Sequence, residues 1–274
     1  MKKNNEIKIK KKPRIAILGD SMTENIQLNN DHDFTSTLQK FLPKYEILNF
    51  SVASTGLADQ IHIYEKLIKE HNPDYVFLYL TENDFTDNTY FDPRPNRISY
   101  KIIDNKVVET IRDEKFFKEY FSKINIFKRE KLIHIKKFSN SYKIYWHLKN
   151  EIFKKKILKK QHKKINLKNK NIIFEKILKD AEIKIFEDIQ TFIFLNISNH
   201  NNMQISEKRL IMIDMLKKYK NFYDPHIPAI NYLKKTNQFN HPYFGFKCDS
   251  HYSKLGAEFL SNFTFTKFKE NNSF

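Results

Sequence analysis

"RIAILGDSMTEN", residues 14–25, decides the fold. After Arg14 it is an almost continuous apolar run with branched side chains, as expected of a parallel strand covered on both faces. The run ends abruptly at Gly19-Asp20-Ser21, where polar residues take over. "YEILNFS" (45–51) and "DYVFLYL" (74–80) have the same character, and between the three lie "DFTSTLQKFL" (33–42) and "ADQIHIYEKLIKEH" (58–71), whose apolar residues recur at helical spacing. The first 85 residues therefore read strand, helix, strand, helix, strand, which is the beginning of a doubly wound α/β sheet.

Working outward, "RISYKIIDNKVVET" (97–110) reads as a β-hairpin turning at Asp104-Asn105, and a long Lys-rich helical stretch follows it. The α/β rhythm resumes with a strand in "TFIFLNIS" (191–198), a helix in "SEKRLIMIDMLKKY" (206–219), a short strand near "NFYD" (221–224) and a last helix starting around Ser253. One domain over residues 1–274 is expected, with the hairpin and basic helical insertion at 97–190 inside it. At 40% hydrophobic and 15% aromatic residues the chain has ample material for a core.

Ligand crevices of open α/β sheets lie beyond the carboxyl ends of the strands. There this chain carries Asp20-Ser21, "SVASTG" (51–56) and "TEND" (81–84) after its first three strands. A serine hydroxyl is a poor nucleophile unless a base takes its proton and donors stabilise the resulting oxyanion. Ser21 lies where a helix N-terminus would favour developing negative charge. Ser21 and Glu24 also match a capping box, so this stretch alone leaves open whether Ser21 is a nucleophile or a helix cap. Gly56 is a place where backbone N–H can approach a ligand, or an ordinary turn glycine. The Asn83 carboxamide is a further donor, or a turn cap. In "CDSHYSKLGAEFL" (248–260), Asp249 stands two residues before His251, close enough for the carboxylate to orient the imidazole.

Taken together these blocks resemble the SGNH/GDSL hydrolase superfamily, of the serine esterase and O-acyltransferase type. In that superfamily a Gly-Asp-Ser block supplies the serine, a later glycine and asparagine complete the oxyanion hole, and an Asp-x(-x)-His block supplies the remaining triad members. The resemblance implies a flavodoxin-like doubly wound parallel sheet of about five strands. It also implies Ser21 as nucleophile, His251 as base, Asp249 as its orienting acid, and an oxyanion hole of the Ser21 and Gly56 N–H groups with the Asn83 side chain. It covers about residues 13–90 and 190–265. Thr81 departs from it, standing where the third block usually has glycine, and Ser253 stands where asparagine is frequent.

The implied activity is acyl-ester hydrolysis or O-acyl transfer through an acyl-enzyme on an acylated carbohydrate or lipid, without cofactor or metal. The alternative is a catalytically inactive basic protein on an anionic polysaccharide or membrane surface. "DHD" (31–33) lacks partners at ligand spacing, and the histidines other than His251 read as surface or packing residues.

The net charge is +17, and residues 123–170, with seventeen Lys/Arg against Glu130 and Glu151, hold +15 of it. Tyr145, Leu148 and Ile152, flanked by Trp146, Phe153 and Ile157, give this stretch an apolar stripe on a basic helix. It reads either as a packed lobe with a solvated face or as a surface for anionic lipid or acidic polysaccharide. Nucleic acid is disfavoured because no recognition motif accompanies the charge. The single Cys248 excludes an internal disulfide framework. The basic N-terminus lacks the apolar segment of a signal peptide and no transmembrane run occurs, so a cytoplasmic protein, free or peripheral to a membrane, is expected.

Overall fold

A computed structural model describes residues 10–89, 98–111, 167–197, 203–238, 243–246 and 249–272. The chain divides into two compact units, Met1–Asp87 with Phe174–Phe274, and Asn88–Ile173. In the first unit the elements run β1 (Arg14–Leu18), α1 (Ser21–Glu24), α2 (Phe34–Phe41), β2 (Glu46–Asn49), α3 (Leu57–Lys66), β3 (Tyr75–Leu80) and α4 (Asp84–Asp87). In the second, β4 (Ile98–Ile103) and β5 (Lys106–Ile111) form an antiparallel hairpin whose turn residues Asp104 and Asn105 both have positive φ, at 48° and 61°. This is the backbone that a two-residue hairpin loop demands, and Asp and Asn tolerate it. Most of the basic stretch 123–170, including its apolar stripe, lies outside the described residues. Helix α5 (Leu167–Ala181) leads back to the first unit. There follow β6 (Thr191–Leu195), α6 (Glu207–Leu216), β7 (Phe222–Tyr223), α7 (His226–Lys235), β8 (Gly245–Phe246), β9 (Asp249–Tyr252) and α8 (Lys254–Asn271).

The five-stranded sheet is wholly parallel in the order β2-β1-β3-β6-β7. Counting only its own strands this is 2-1-3-4-5, the flavodoxin-like doubly wound order, with its switch point between β1 and β3. Alternation along the strands gives the sheet two different faces. Tyr75, Phe77 and Tyr79 of β3 and Phe192 and Phe194 of β6 form an aromatic face, against which Phe34 of α2 and Phe263 and Phe268 of α8 pack. The rings meet edge-on at 5.1 Å for Phe34 and Tyr79 and 5.2 Å for Phe77 and Phe268, the geometry that ring quadrupoles favour. Val76, Leu78, Leu80, Ile193 and Leu195, all buried, point to the opposite face. The one polar atom that the aromatic face carries deep inside, the Tyr79 hydroxyl, is paired with Thr264 Oγ1 at 2.8 Å.

Two elements lie beyond the expected pattern. Helix α7 contains Pro228 in its first turn, which reads as a breaker although proline is tolerated there. The β8–β9 hairpin is too short for a periodic signal, with two residues against four. Among the described residues no helix is long and apolar enough to cross a membrane.

Gly256, in the first turn of α8, holds the C-terminal segment in place. A Cβ there would come within 2.3 Å of the Phe244 carbonyl oxygen, which is itself fixed by Ser253 N at 2.8 Å and Ser253 Oγ at 2.9 Å. Helix propensity alone favours Gly256→Ala by about 1 kcal/mol, but the clash is with backbone and outweighs it. We expect Gly256→Ala to lose about 1–3 kcal/mol in urea unfolding. A variant as stable as the wild type would show that the Phe244 turn yields freely.

Candidate active site at the carboxyl edge of the sheet

The turn after β1 is built around Asp20, 2% exposed. Its backbone is extended (φ −104°) and its Oδ1 accepts from Met22 N at 3.0 Å, so Asp20 is the cap of α1. Ser21 is the first helical residue and half-exposed. The cap reading of Ser21 is thereby corrected, because the oxygen that reaches the free N–H groups belongs to the residue one step earlier. The second half of the expected capping box differs too: Glu24 accepts from Ala53 N at 2.8 Å, in the loop after β2. Ser21 Oγ takes part in no hydrogen bond with another described residue, His251 included.

Two loops converge on this turn. Gly19 O accepts from Val52 N at 3.1 Å and Thr55 Oγ1 at 3.2 Å, which draws the loop after β2 against the end of β1. Gly56 caps α3 in extended backbone, and its N–H donates to Asp59 Oδ2 at 3.0 Å, so the N–H expected to face the crevice is engaged within its own helix turn. From the loop after β3, Thr81 Oγ1 and Asn83 Nδ2 reach Asp20 Oδ2 at 2.8 and 3.3 Å. Asn83, exposed at its backbone turn, also donates from Nδ2 to Asp87 Oδ2 at 2.6 Å and accepts at Oδ1 from Thr81 Oγ1. Ser21 and Asn83 are thus joined through Asp20.

His251 arrives on β9, half-buried. Its neighbour Tyr252 fixes that strand. The buried Tyr252 hydroxyl donates to Asn196 Oδ1 at 3.0 Å and accepts from Ile197 N at 2.7 Å, just past β6, while Tyr252 O accepts from Asn25 Nδ2 at 3.1 Å. Asn25 is the left-handed C-cap of α1 (φ 52°), so the helix that begins with Ser21 ends on the strand that carries His251. Asp249 opens β9, and its side chain lies outside the described part of the structure. Behind this edge, the buried Arg209 bridges Asn196 O at 2.8 Å and Asp224 Oδ1 at 2.5 Å, tying β6 to the residue after β7.

Sequence reasoning missed Asp84 and Tyr252, and treated Thr81 only as a departure. Asp84 is buried, and burial, then the neighbouring Asp20 and Asp87, hold its carboxyl well above the usual carboxylate range against the lowering effect of its Thr81 hydrogen bonds. The available signal was Asp84 in "TEND", together with Asp87, four and seven residues after β3 ends.

No protein-family model and no curated protein sequence matches the chain. Solved structures do. An acetyl xylan esterase, AlAXEase, is similar with a TM-score of 0.50 at 11% identity, over 92% of this chain and 98% of that one. LAE5, described as an alpha/beta hydrolase enzyme from the metagenome of Lake Arreo, Spain, is similar with a TM-score of 0.50 at 12% identity, over 95% of this chain and 97% of that one. A Veillonella parvula member of the lipolytic protein G-D-S-L family is similar more weakly, with a TM-score of 0.46 at 10% identity, over 94% and 97% of the two chains. The chain has an SGNH/GDSL hydrolase-like fold, and at such identities the likeness speaks for fold alone.

Tyr252→Phe keeps the ring but leaves Ile197 N and Asn196 Oδ1 without their partner in a buried place. We expect a loss of about 1–3 kcal/mol in urea unfolding, the cost of orphaned buried polar groups. A loss below about 0.5 kcal/mol, within the range of an ordinary surface change, would show that the hydroxyl does not hold β9.

Proposed function

We propose that this protein is a serine-dependent acyl-ester hydrolase or O-acyltransferase. The observation that carries the reading is the uncommitted Ser21 hydroxyl, relieved of capping by Asp20 and placed at the carboxyl end of β1 on a helix tied to the strand of His251. The fold shared with an acetyl xylan esterase supports it.

In the proposed reaction His251 takes the Ser21 proton as Oγ attacks the ester carbonyl. Asp249, two residues away, orients the imidazole and stabilises the imidazolium. The oxyanion forms beside the N-terminus of α1, where the Ser21 N–H is one donor and an Asn83 Nδ2 hydrogen is another. Asn83 gives that hydrogen to Asp87, so the oxyanion takes the place of a carboxylate oxygen. Gly56 contributes only if its N–H leaves Asp59. Collapse expels the alcohol, protonated by His251. Water or a sugar hydroxyl then attacks the acyl-enzyme, and the first gives hydrolysis, the second acyl transfer. An acylated carbohydrate or lipid is the substrate class that fits this reading, and residues 123–170 are proposed to hold the enzyme on an anionic surface.

With p-nitrophenyl acetate, Ser21→Ala is expected to reduce turnover to background, and Asn83→Ala to reduce kcat by roughly 100- to 1,000-fold with the fold intact. Wild-type activity unchanged in Ser21→Ala would remove the serine mechanism. Separately, replacing Lys154, Lys155, Lys156, Lys159 and Lys160 with glutamine is expected to spare that soluble ester. The same change should weaken binding to anionic vesicles or acidic polysaccharide, and wild-type binding should fall as salt screens exposed charge beyond about 8 Å. Absence of wild-type binding at low salt would leave the charge as a solvated face.

A further inference from the structure

Where the third block of the superfamily usually has glycine, this chain has Thr81, and the substitution brings a hydroxyl into the centre of an acidic cluster. Thr81 is absent from the residues with positive φ, so no backbone strain accompanies the change. Its Oγ1 lies 2.8 Å from Asp20 Oδ2 and 3.1 Å from Asp84 Oδ2, and in short contact with Asn83 Oδ1. A hydroxyl has one proton to give, and here three acceptor oxygens compete for it. The cluster is short of a proton.

Asp84 is the place for it. It is 1% exposed, its Oδ2 also accepts from Thr81 N at 2.6 Å, and its Oδ1 has only the Gln60 Nε2 contact at 3.5 Å. No cation pairs with it among the described residues. The charged groups facing it are both anions, Asp20 from the end of β1 and Asp87 from its own helix, while Gln60 of α3 and Thr81 are neutral. A third carboxylate buried there without a counter-ion would carry a desolvation penalty and two repulsions. A proton on Asp84 Oδ2 removes both. It donates to Thr81 Oγ1, which is then free to give its own proton to Asn83 Oδ1, while Asp20 Oδ2 accepts from Asn83 Nδ2. Asn83 is left with its oxygen held by Thr81 and its Nδ2 set between Asp20 Oδ2 and the more exposed Asp87 Oδ2.

We propose that Thr81 and a proton carried on Asp84 together orient the Asn83 carboxamide, as positioning residues for the oxyanion donor. The proton is a property of the fold; its catalytic meaning rests on the function proposed above.

The full-length protein is unfolded in urea from pH 5 to 9 beside Asp84→Asn, which mimics the protonated acid. The unfolded chain releases the Asp84 proton near pH 3.9 and the folded chain keeps it to higher pH. Wild-type stability from this group therefore falls as pH rises through that window, and Asp84→Asn gains on the wild type with rising pH. A difference that does not change with pH overturns the protonated Asp84. On p-nitrophenyl acetate, Thr81→Val and Asp84→Ala are expected to lower kcat about 10-fold or more with KM changed by less than about 2-fold, and Thr81→Ser and Asp84→Asn to restore it. Asp84→Asn as slow as Asp84→Ala overturns the positioning role. If the wild type hydrolyses no ester, the proposed function fails while the pH series still decides the proton. The positioning is then read from the stability cycle of Thr81→Val with Asn83→Ala, where coupling supports it and additivity overturns it.

Discussion

The carboxylate of Asp20 is the constraint on which the candidate site depends. One oxygen caps α1 through Met22 N, and the other gathers Thr81 and Asn83 from the end of the neighbouring strand. Because β1 and β3 are adjacent in the sheet, their loops emerge side by side at its switch point, and a single acid between them locks the entry of one helix to the turn of the next. This explains how Ser21 is left with no structural duty. A buried acid does the capping, and the serine that follows it is held by backbone alone.

The same acid shows what sequence could and could not reveal. The parallel sheet was legible because its strands are continuous apolar runs, and the order of helices followed from spacing. The identity of the cap was not. Ser21 and Asp20 are both good caps, and only the register of the first helical turn, set by how β1 ends, chooses between them. Thr81 was visible as a departure, yet its hydroxyl gains meaning only when Asp20, Asn83 and Asp84 are brought around it. Tyr252 gave no signal at all, since a tyrosine in a short segment looks the same whether its hydroxyl meets water or, as here, Asn196 and Ile197. Gly56 was legible as a glycine just after the second strand, but nothing in the sequence ranks the crevice against Asp59, the acceptor three residues on, for its N–H.

The edge of the sheet is also electrostatically unlike the chain as a whole. The protein carries +17, yet Asp20, Glu82, Asp84 and Asp87 cluster within and beside the turn after β3. Glu82 is drawn away from that group, with Ser206 Oγ at 2.5 Å and Arg209 Nη1 at 3.8 Å. Arg209 thus takes up part of the excess negative charge on the far side, and Asp20 and Asp84 form no ion pair with another described residue.

The aromatic face of the sheet has a consequence for how the chain is made. Its strands β1 to β3 are complete by Leu80, but the ring of Phe268 that packs edge-on against Tyr75 and Phe77 of β3 comes from α8. At a synthesis rate of about 5–20 residues per second, Tyr75 and Phe77 wait roughly 10–40 s for that partner. During that interval the emerging chain presents a strip of uncovered aromatic strand, the surface on which unwanted pairing with other chains begins. Helix α8, made long after β3, is therefore a cover as well as a helix.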